Sequence, residues 1–320
     1  MLIYILFIIG FFVLIKGADL LVSGASSIAL KFKISPLVIG LTIVAFGTSA
    51  PEFAVNIFSA TKGETELAIG NILGSNIANI LLILGITSII YPVQAKLSTV
   101  WKEIPFALLG AIMLGILAND KLIDGSITSE ISRIDGLVLI GFFIIFLYYT
   151  FGISKDAGDT TSQEEDMKEI SVGKSVLYII IGLTGLILGG KWIVDGAVSL
   201  ATAFGMSKSV IGLTVVAIGT SLPELATSVV AAMKKQSDIA IGNIVGSNIF
   251  NIFWILGFTG TLTNIPFSAS SNIDILMTIF ASILLFIFMF LGKKHRIGRW
   301  EGIIMVCIYI GYLAYLVLNI

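Results

Sequence analysis

Residues 35–85 and 207–257 of this chain are copies of one another, and that duplication constrains the fold more than any other feature. About 30 of the 51 aligned positions are identical, far more than unrelated apolar segments share. GTSAPE at 47–52 meets GTSLPE at 219–224, and GNILGSNIANILLILG at 70–85 meets GNIVGSNIFNIFWILG at 242–257. The offset is 224 − 52 = 172 throughout, and GADLLVSGA at 17–25 meets GGKWIVDGA at 189–197 at the same distance. SRIDGLVL at 132–139 and GRWEGIIM at 298–305 extend the match at an offset of 166. Whatever one half folds into, the other half must fold into again.

The duplicated segments are apolar, which fixes the solvent. Of the 320 residues 57% are hydrophobic and 12% charged, with a mean hydropathy of +1.04, against roughly 25% charged in soluble domains. Lipid admits only helices or closed barrels, and these runs lack the alternation of a barrel strand. The expectation is an all-α membrane protein whose apolar runs, near the ~20 residues that cross a bilayer, fall at about 2–30, 35–60, 66–90, 102–118, 133–151, 172–204, 208–233, 238–262, 273–291 and 300–318. Ten spans in two copies is five per copy, an odd number. The second copy then enters the membrane from the opposite side, giving two inverted five-helix repeats, 1–151 and 172–320, joined by a linker at 152–171.

Basic residues set the orientation. With the N-terminus outside, thirteen lysines and arginines fall inside, among them Lys31, Lys96, Lys155, Lys234 and Arg299, against Lys62, Lys121, Arg133 and Lys208 outside. Both termini are expected outside a cell membrane crossed many times, with 152–171 in the cytoplasm. That linker is polar, and its acidic group Glu164, Glu165, Asp166 and Glu169 reads as a solvated connector. The first span has no basic leader or cleavage pattern and is expected to be retained. Cys307 has no second cysteine to pair with and His295 lies in a basic loop, which removes intrachain disulfides, thiolate clusters and an evident buried hydrolytic base. No enzymatic activity, cofactor or nucleic-acid partner is expected, and the chain is expected to act as a monomer.

The acids inside the repeats carry the chemistry. An ionised carboxylate at membrane depth costs at least ~2.5–3.5 kcal/mol, and Glu52 and Glu224 occupy equivalent mid-span positions. Pro51 and Pro223 precede them, so each helix is expected to kink and loosen backbone carbonyls, including those of Ala45, Thr48, Ala217 and Thr220. Ser49 and Ser221 add hydroxyls. In the second motif Asn71, Ser75 and Asn79, and likewise Asn243, Ser247 and Asn251, recur every four residues along one helical stripe. The pairs Gly70 with Gly74 and Gly242 with Gly246 are expected to admit another helix closely. Carboxylates, carbonyls, hydroxyls and amides are the donors that hard cations select. Lys16, Asp19, Lys191 and Asp195 are expected to snorkel or to form ion pairs.

On G-T-S-x-P-E and G-N-x-x-G-S-N-x-x-[ND], both present twice, the chain resembles the sodium/calcium exchanger branch of the cation/calcium exchanger superfamily over essentially its full length. The resemblance implies ten helices and four central cation sites. Glu52 and Glu224, with the carbonyls of Thr48 and Thr220, would bind Ca²⁺ and Na⁺. The carbonyls of Ala45 and Ala217 and the side chains of Ser49, Ser221, Ser75 and Ser247 would complete the Na⁺ sites, with Asn79 and Asn251 lining the middle position. Several relatives carry Asp where this chain has Asn251. Two carboxylates balance one Ca²⁺, and three Na⁺ leave a surplus of +1, so a three-for-one exchange would be electrogenic. The alternatives are H⁺/Ca²⁺ antiport, whose branch typically places a Glu shortly after Gly-Asn where this chain has Ile72-Leu73-Gly74, and K⁺-dependent exchange. A cation channel is more remote and would differ in lacking coupling.

Overall fold

The computed structural model describes residues 2–63, 65–154, 170–205, 217–291 and 295–318. It is built of helices: α1 (Leu2–Phe32), α2 in two pieces (Pro36–Thr48 and Ala50–Thr61), α3 (Leu67–Ile90), α4 (Leu97–Leu117), α5 (Arg133–Gly152), α6 (Val172–Ala203), α7 (Leu222–Met233, preceded by a turn at Ala217–Thr220), α8 (Ser237–Leu262), α9 (Ala269–Phe288) and α10 (Arg299–Leu318). Among the described residues eight of these are long and apolar enough to cross a membrane, or nine with the bent α2 taken as one span. The remaining expected span, 208–233, falls partly outside the described residues, as does most of the 152–171 linker with its acidic group. The chain is thus an all-helical, multi-pass membrane protein.

Burial sorts the helices by depth. The most apolar stretch of α8 is 94% buried and that of α3 78%, whereas the other spanning helices lie between 22% and 39%. The two GN-x-x-GSN helices are therefore the inner pair, and the remaining helices turn exposed Ile, Leu and Phe outward, as a lipid-facing layer does. Close packing on the inner pair relies on missing side chains. A Cβ on Gly242 would sit 2.9 Å from the Leu37 carbonyl, and one on Gly246 would sit 2.9 Å from Leu41 Cα, so the first piece of α2 lies backbone to backbone on α8. For Gly70 and Gly74, expected to act likewise, no described residue lies within 4 Å of such a Cβ. The sequence equivalents of the α2 residues that meet Gly242 and Gly246 are 209–217, almost all outside the described residues.

Equivalent helices run antiparallel where they touch. Along α1, Gly10 faces Gly189, Gly17 faces Gly182 and Gly24 faces Ser175, so numbering rises on one helix as it falls on the other. Gly10 and Gly17 are themselves the repeat counterparts of Gly182 and Gly189. The two halves also exchange contacts in matched pairs. Gly136 at the start of α5 abuts the Gly257 carbonyl near the end of α8, and Gly302 in α10 abuts the Gly85 carbonyl near the end of α3. Two short antiparallel ribbons do the same: Val93–Gln94 pairs with Arg296–Ile297, and Glu130–Ile131 with Ile265–Pro266. Nothing in the apolar patterning announces these two-residue strands, because they are made only after both halves have met.

The α1–α6 crossing gives a direct packing test. A Cβ at Gly17 would fall 2.8 Å from both the Gly182 carbonyl oxygen and the Leu186 amide nitrogen, atoms that cannot rotate away. Gly17→Val is expected to cost about 1–3 kcal/mol through overpacking, read as a lower melting temperature in detergent. Gly141→Val, where nothing lies within 4 Å, should leave the melting temperature unchanged.

Candidate cation-binding site

Each GTS-x-PE motif is a helix break with an acid at the start of the next helix. Ser49 (φ −81°, ψ 6°) and Ser221 (φ −87°, ψ 7°) leave helical geometry, and α2 bends by 46° there. Pro51 and Pro223 then occupy the first turn of the following piece, where a missing N–H costs nothing, and Glu52 and Glu224 sit in the same turn. The partial positive charge of a helix N-terminus favours a carboxylate at that position. Both acids are 1% exposed. One expectation needs correcting: the Ala45 carbonyl is not loosened, since it accepts from the Ser49 backbone N–H at 3.0 Å. Proline removes the donor that would face the carbonyl four residues back, which for Pro51 is Gly47. Ala217 opens the short helical turn Ala217–Thr220.

The two acids are brought together, and each is held by the other half of the chain. Ser49 Oγ donates to Glu224 Oε1 at 3.2 Å, while Ser221 Oγ lies 3.5 Å from Glu52 Oε1. Ser75 Oγ reaches Glu52 Oε1 at 3.5 Å and stands 3.5 Å from Ser221 Oγ. Thr220 also faces Glu52, and Thr48 and Ser247 face Glu224. The expected stripe partners Asn79 and Asn251 follow one turn beyond Ser75 and Ser247, both buried, at the onset of matched π-helical segments Ala78–Leu84 and Phe250–Leu256. Such local widenings of a helix recur at functional sites. The segments begin 250 − 78 = 172 residues apart, so the distortion is part of the repeat.

What makes the cluster a candidate cation site is its unspent oxygen. Buried polar atoms in proteins are nearly always paired. Here Glu52 Oε2, Glu224 Oε2, Ser247 Oγ, Asn79 Oδ1 and Asn251 Oδ1 are buried without a hydrogen-bond partner. All five can accept, and the two amide oxygens can do nothing else. Among the described residues no group of three or more His, Cys, Asp or Glu could form a metal site, so the donor set is neutral oxygens around two carboxylates. That is the donor chemistry that hard cations select.

Several participants escaped the sequence reading. Thr48 was expected to contribute its carbonyl, yet its hydroxyl donates to Asn243 Oδ1 at 3.0 Å, and Asn243 Nδ2 donates to the Glu224 carbonyl at 3.3 Å and to Ser228 Oγ at 3.0 Å. Asn56 ties α2 to α3 and α8 through the Ala68 carbonyl and the Thr259 hydroxyl. Asn76 and Asn248, which follow the serines in both GSN triplets, form crossed bonds between α3 and α8. Their recurrence in both copies was the available signal. Of Lys16, Asp19, Lys191 and Asp195, Asp19 pairs with Lys234 at 2.6 Å and Lys191 with Asp195 at 2.6 Å.

Comparison with known proteins gives the chain a family. The family described as sodium/calcium exchanger protein matches residues 2–152 and 174–318. The chain is 41% identical, over 95% of each sequence, to a protein of Alkalimonas amylolytica provisionally named antiporter CaxA. It is 30% identical, over 98% of each, to the sodium/calcium exchanger MaX1 of Methanosarcina acetivorans. Among solved structures, the sodium-calcium exchanger NCX_Mj soaked with Na⁺ and Ca²⁺ superposes with a TM-score of 0.83 at 35% identity, covering 98% of both chains.

Two buried carboxylates without a full set of partners should destabilise the ion-free protein, by a few kcal/mol on the scale for charges at membrane depth. Glu52→Gln and Glu224→Gln, purified without Ca²⁺ or Na⁺, are therefore expected to melt a few degrees above the parent protein. Added Ca²⁺ should raise the melting temperature of the parent and not of either variant. A lower ion-free melting temperature for both would show the acids to be structural.

Proposed function

The chain belongs to the sodium/calcium exchanger family, and from that premise we propose that it is a secondary-active antiporter driving Ca²⁺ out as Na⁺ enters, through one shared site around Glu52 and Glu224. The observation that carries this reading is the exchange of serines between halves, Ser49 to Glu224 and Ser221 to Glu52. Each acid is completed by the opposite repeat, so one site serves both sides. Ca²⁺ is held by the two carboxylates, the Thr48 and Thr220 carbonyls and the central amide oxygens. Na⁺ takes the flanking positions, with Ser49, Ser75, Ser221 and Ser247 and the Ala217 carbonyl; the Ala45 carbonyl joins with the lone pair that its bond from the Ser49 N–H leaves. Overlapping ligands make occupation competitive, and competition makes transport an exchange. Three Na⁺ per Ca²⁺ carries one net positive charge inward per cycle.

Ten helices in two inverted repeats, 1–151 and 172–320, with 152–171 as a cytoplasmic linker, give the site alternating access. The antiparallel contact between the equivalent helices α1 and α6 supports that arrangement, as do the matched ribbons. With both termini outside, the cytoplasmic side is the one fastened here. Lys234 at the end of α7 holds Asp19 and, at 2.8 Å, the Ser23 hydroxyl of α1, and Ser26 donates to Gln236 at 2.5 Å. At the equivalent external place the partners are differently engaged: Lys191 and Asp195 pair along α6, and Lys62 lies over the Phe58 ring at 4.2 Å. In this reading the conformation is outward-facing, and α1 and α6 slide together over the inner helices to reverse it. The protein works as a monomer in the cell membrane, with no cofactor besides its transported ions.

Two outcomes test this. Na⁺-loaded proteoliposomes diluted into Na⁺-free Ca²⁺ should accumulate Ca²⁺, faster with an inside-positive potential, and Glu52→Gln or Glu224→Gln should cut the rate about 100-fold or more, the scale of an unpaired buried charge. Uptake that ignores the Na⁺ gradient overturns the proposal; dependence on a pH gradient or on K⁺ instead selects the H⁺-coupled or K⁺-dependent alternative. In a Cys307→Ser background, bridging cysteines placed at 19 and 234 should halt exchange reversibly, and unchanged exchange overturns the sliding of α1.

A further inference from the structure

Asn76 and Asn248 lie behind the proposed ligands and form a closed set of hydrogen bonds across the α3–α8 crossing. Asn76 Nδ2 donates to the Asn248 backbone carbonyl at 3.3 Å, and Asn248 Nδ2 donates to the Asn76 carbonyl at 3.4 Å. Asn251 Nδ2 donates to Asn76 Oδ1 at 2.9 Å, and Asn79 Nδ2 to Asn248 Oδ1 at 3.0 Å. All four residues are buried.

The polarity of this set is forced. A backbone carbonyl can only accept, so the Asn248 carbonyl fixes which end of the Asn76 amide faces it. The Asn76 oxygen then faces away and requires a donor, which fixes the Asn251 NH₂ group. The Asn251 oxygen is left on the far side with no partner, and the mirror sequence through Asn248 leaves the Asn79 oxygen in the same condition. An asparagine amide offers a cation an attractive oxygen or a repulsive NH₂ from nearly the same volume, and nothing local in Asn79 or Asn251 decides between them.

We infer that Asn76 and Asn248 are positioning residues that select this cation chemistry: each locks the amide of the opposite half's central asparagine with its oxygen toward the ions. Each half of the protein sets the ligand polarity of the other. The inference rests on Asn79 and Asn251 acting as ligands, as proposed above. It also accounts for a neutral centre that still serves a cation, because a carboxylate there would present oxygen in either orientation and would need no such lock.

That difference supplies the test. Asn76→Leu is expected to raise the KM for Ca²⁺ in Na⁺-dependent uptake about tenfold, the effect of losing one oriented hydrogen-bonding group, with maximal rate little changed. Asn251→Leu should raise it similarly. With Asn251→Asp already in place, adding Asn76→Leu should cost nothing further. If Asn251→Leu leaves KM unchanged, the ligand assignment beneath the inference fails. If Asn251→Leu raises KM and Asn76→Leu does not, or if Asn76→Leu costs the same with Asp at 251, the lock is overturned and Asn76 is a packing residue. The mirror set, Asn248→Leu with Asn79→Leu and Asn79→Asp, carries the same comparison should Asn76→Leu fail to fold.

Discussion

Two carboxylates enclosed by a membrane protein are the constraint around which the other features arrange themselves. Water would stabilise their charge and lipid would not. The chain supplies partial substitutes: the first turn of a helix beneath each acid, serine and threonine hydroxyls from both halves, and amide oxygens one turn further along. The substitutes fall short of neutralising the pair. In the proposed function, that shortfall is what a bound cation makes up.

The helix breaks, the glycines and the repeat all serve this arrangement. A continuous helix would point Glu52 and Glu224 from the middle of a cylinder, with every backbone dipole already used. Breaking at Ser49 and Ser221 creates a helix start inside the membrane, where proline is tolerated and an acid is favoured. Glycines at 242 and 246 bring the backbone of α2 against α8, shortening the reach from Thr48 to Asn243. Duplication then supplies the second acid at an equivalent depth. The duplicated places are nonetheless engaged differently: Asp19 pairs across to Lys234, whereas Lys191 pairs with Asp195 along its own helix.

Much of this was legible in the residues, and what was not has a physical reason. Apolar run length and the 172-residue offset gave the helices and the two motifs, because burial in lipid and gene-level repetition both leave marks along the chain. Glu52 and Glu224 stood out because their cost at membrane depth is large. The Ala45 carbonyl was misread, since a proline frees the carbonyl four residues before it, and Ala45 keeps its bond to Ser49. The π-helical turns at Ala78–Leu84 and Phe250–Leu256 leave no periodic signal. The asparagine lock escaped notice because Asn76 looks like any buried helical amide until α8 is laid across it.

The central claim is that both cations compete for one shared set of oxygens. Equilibrium binding of radioactive Ca²⁺ to the purified protein in detergent, titrated with Na⁺ at constant ionic strength, tests it most directly. The account predicts saturable Ca²⁺ binding displaced completely by Na⁺ along a curve steeper than one-for-one competition, and no such binding to the Glu52→Gln, Glu224→Gln double variant. Ca²⁺ that stays bound at saturating Na⁺, or binds the double variant as tightly as the parent, would contradict it.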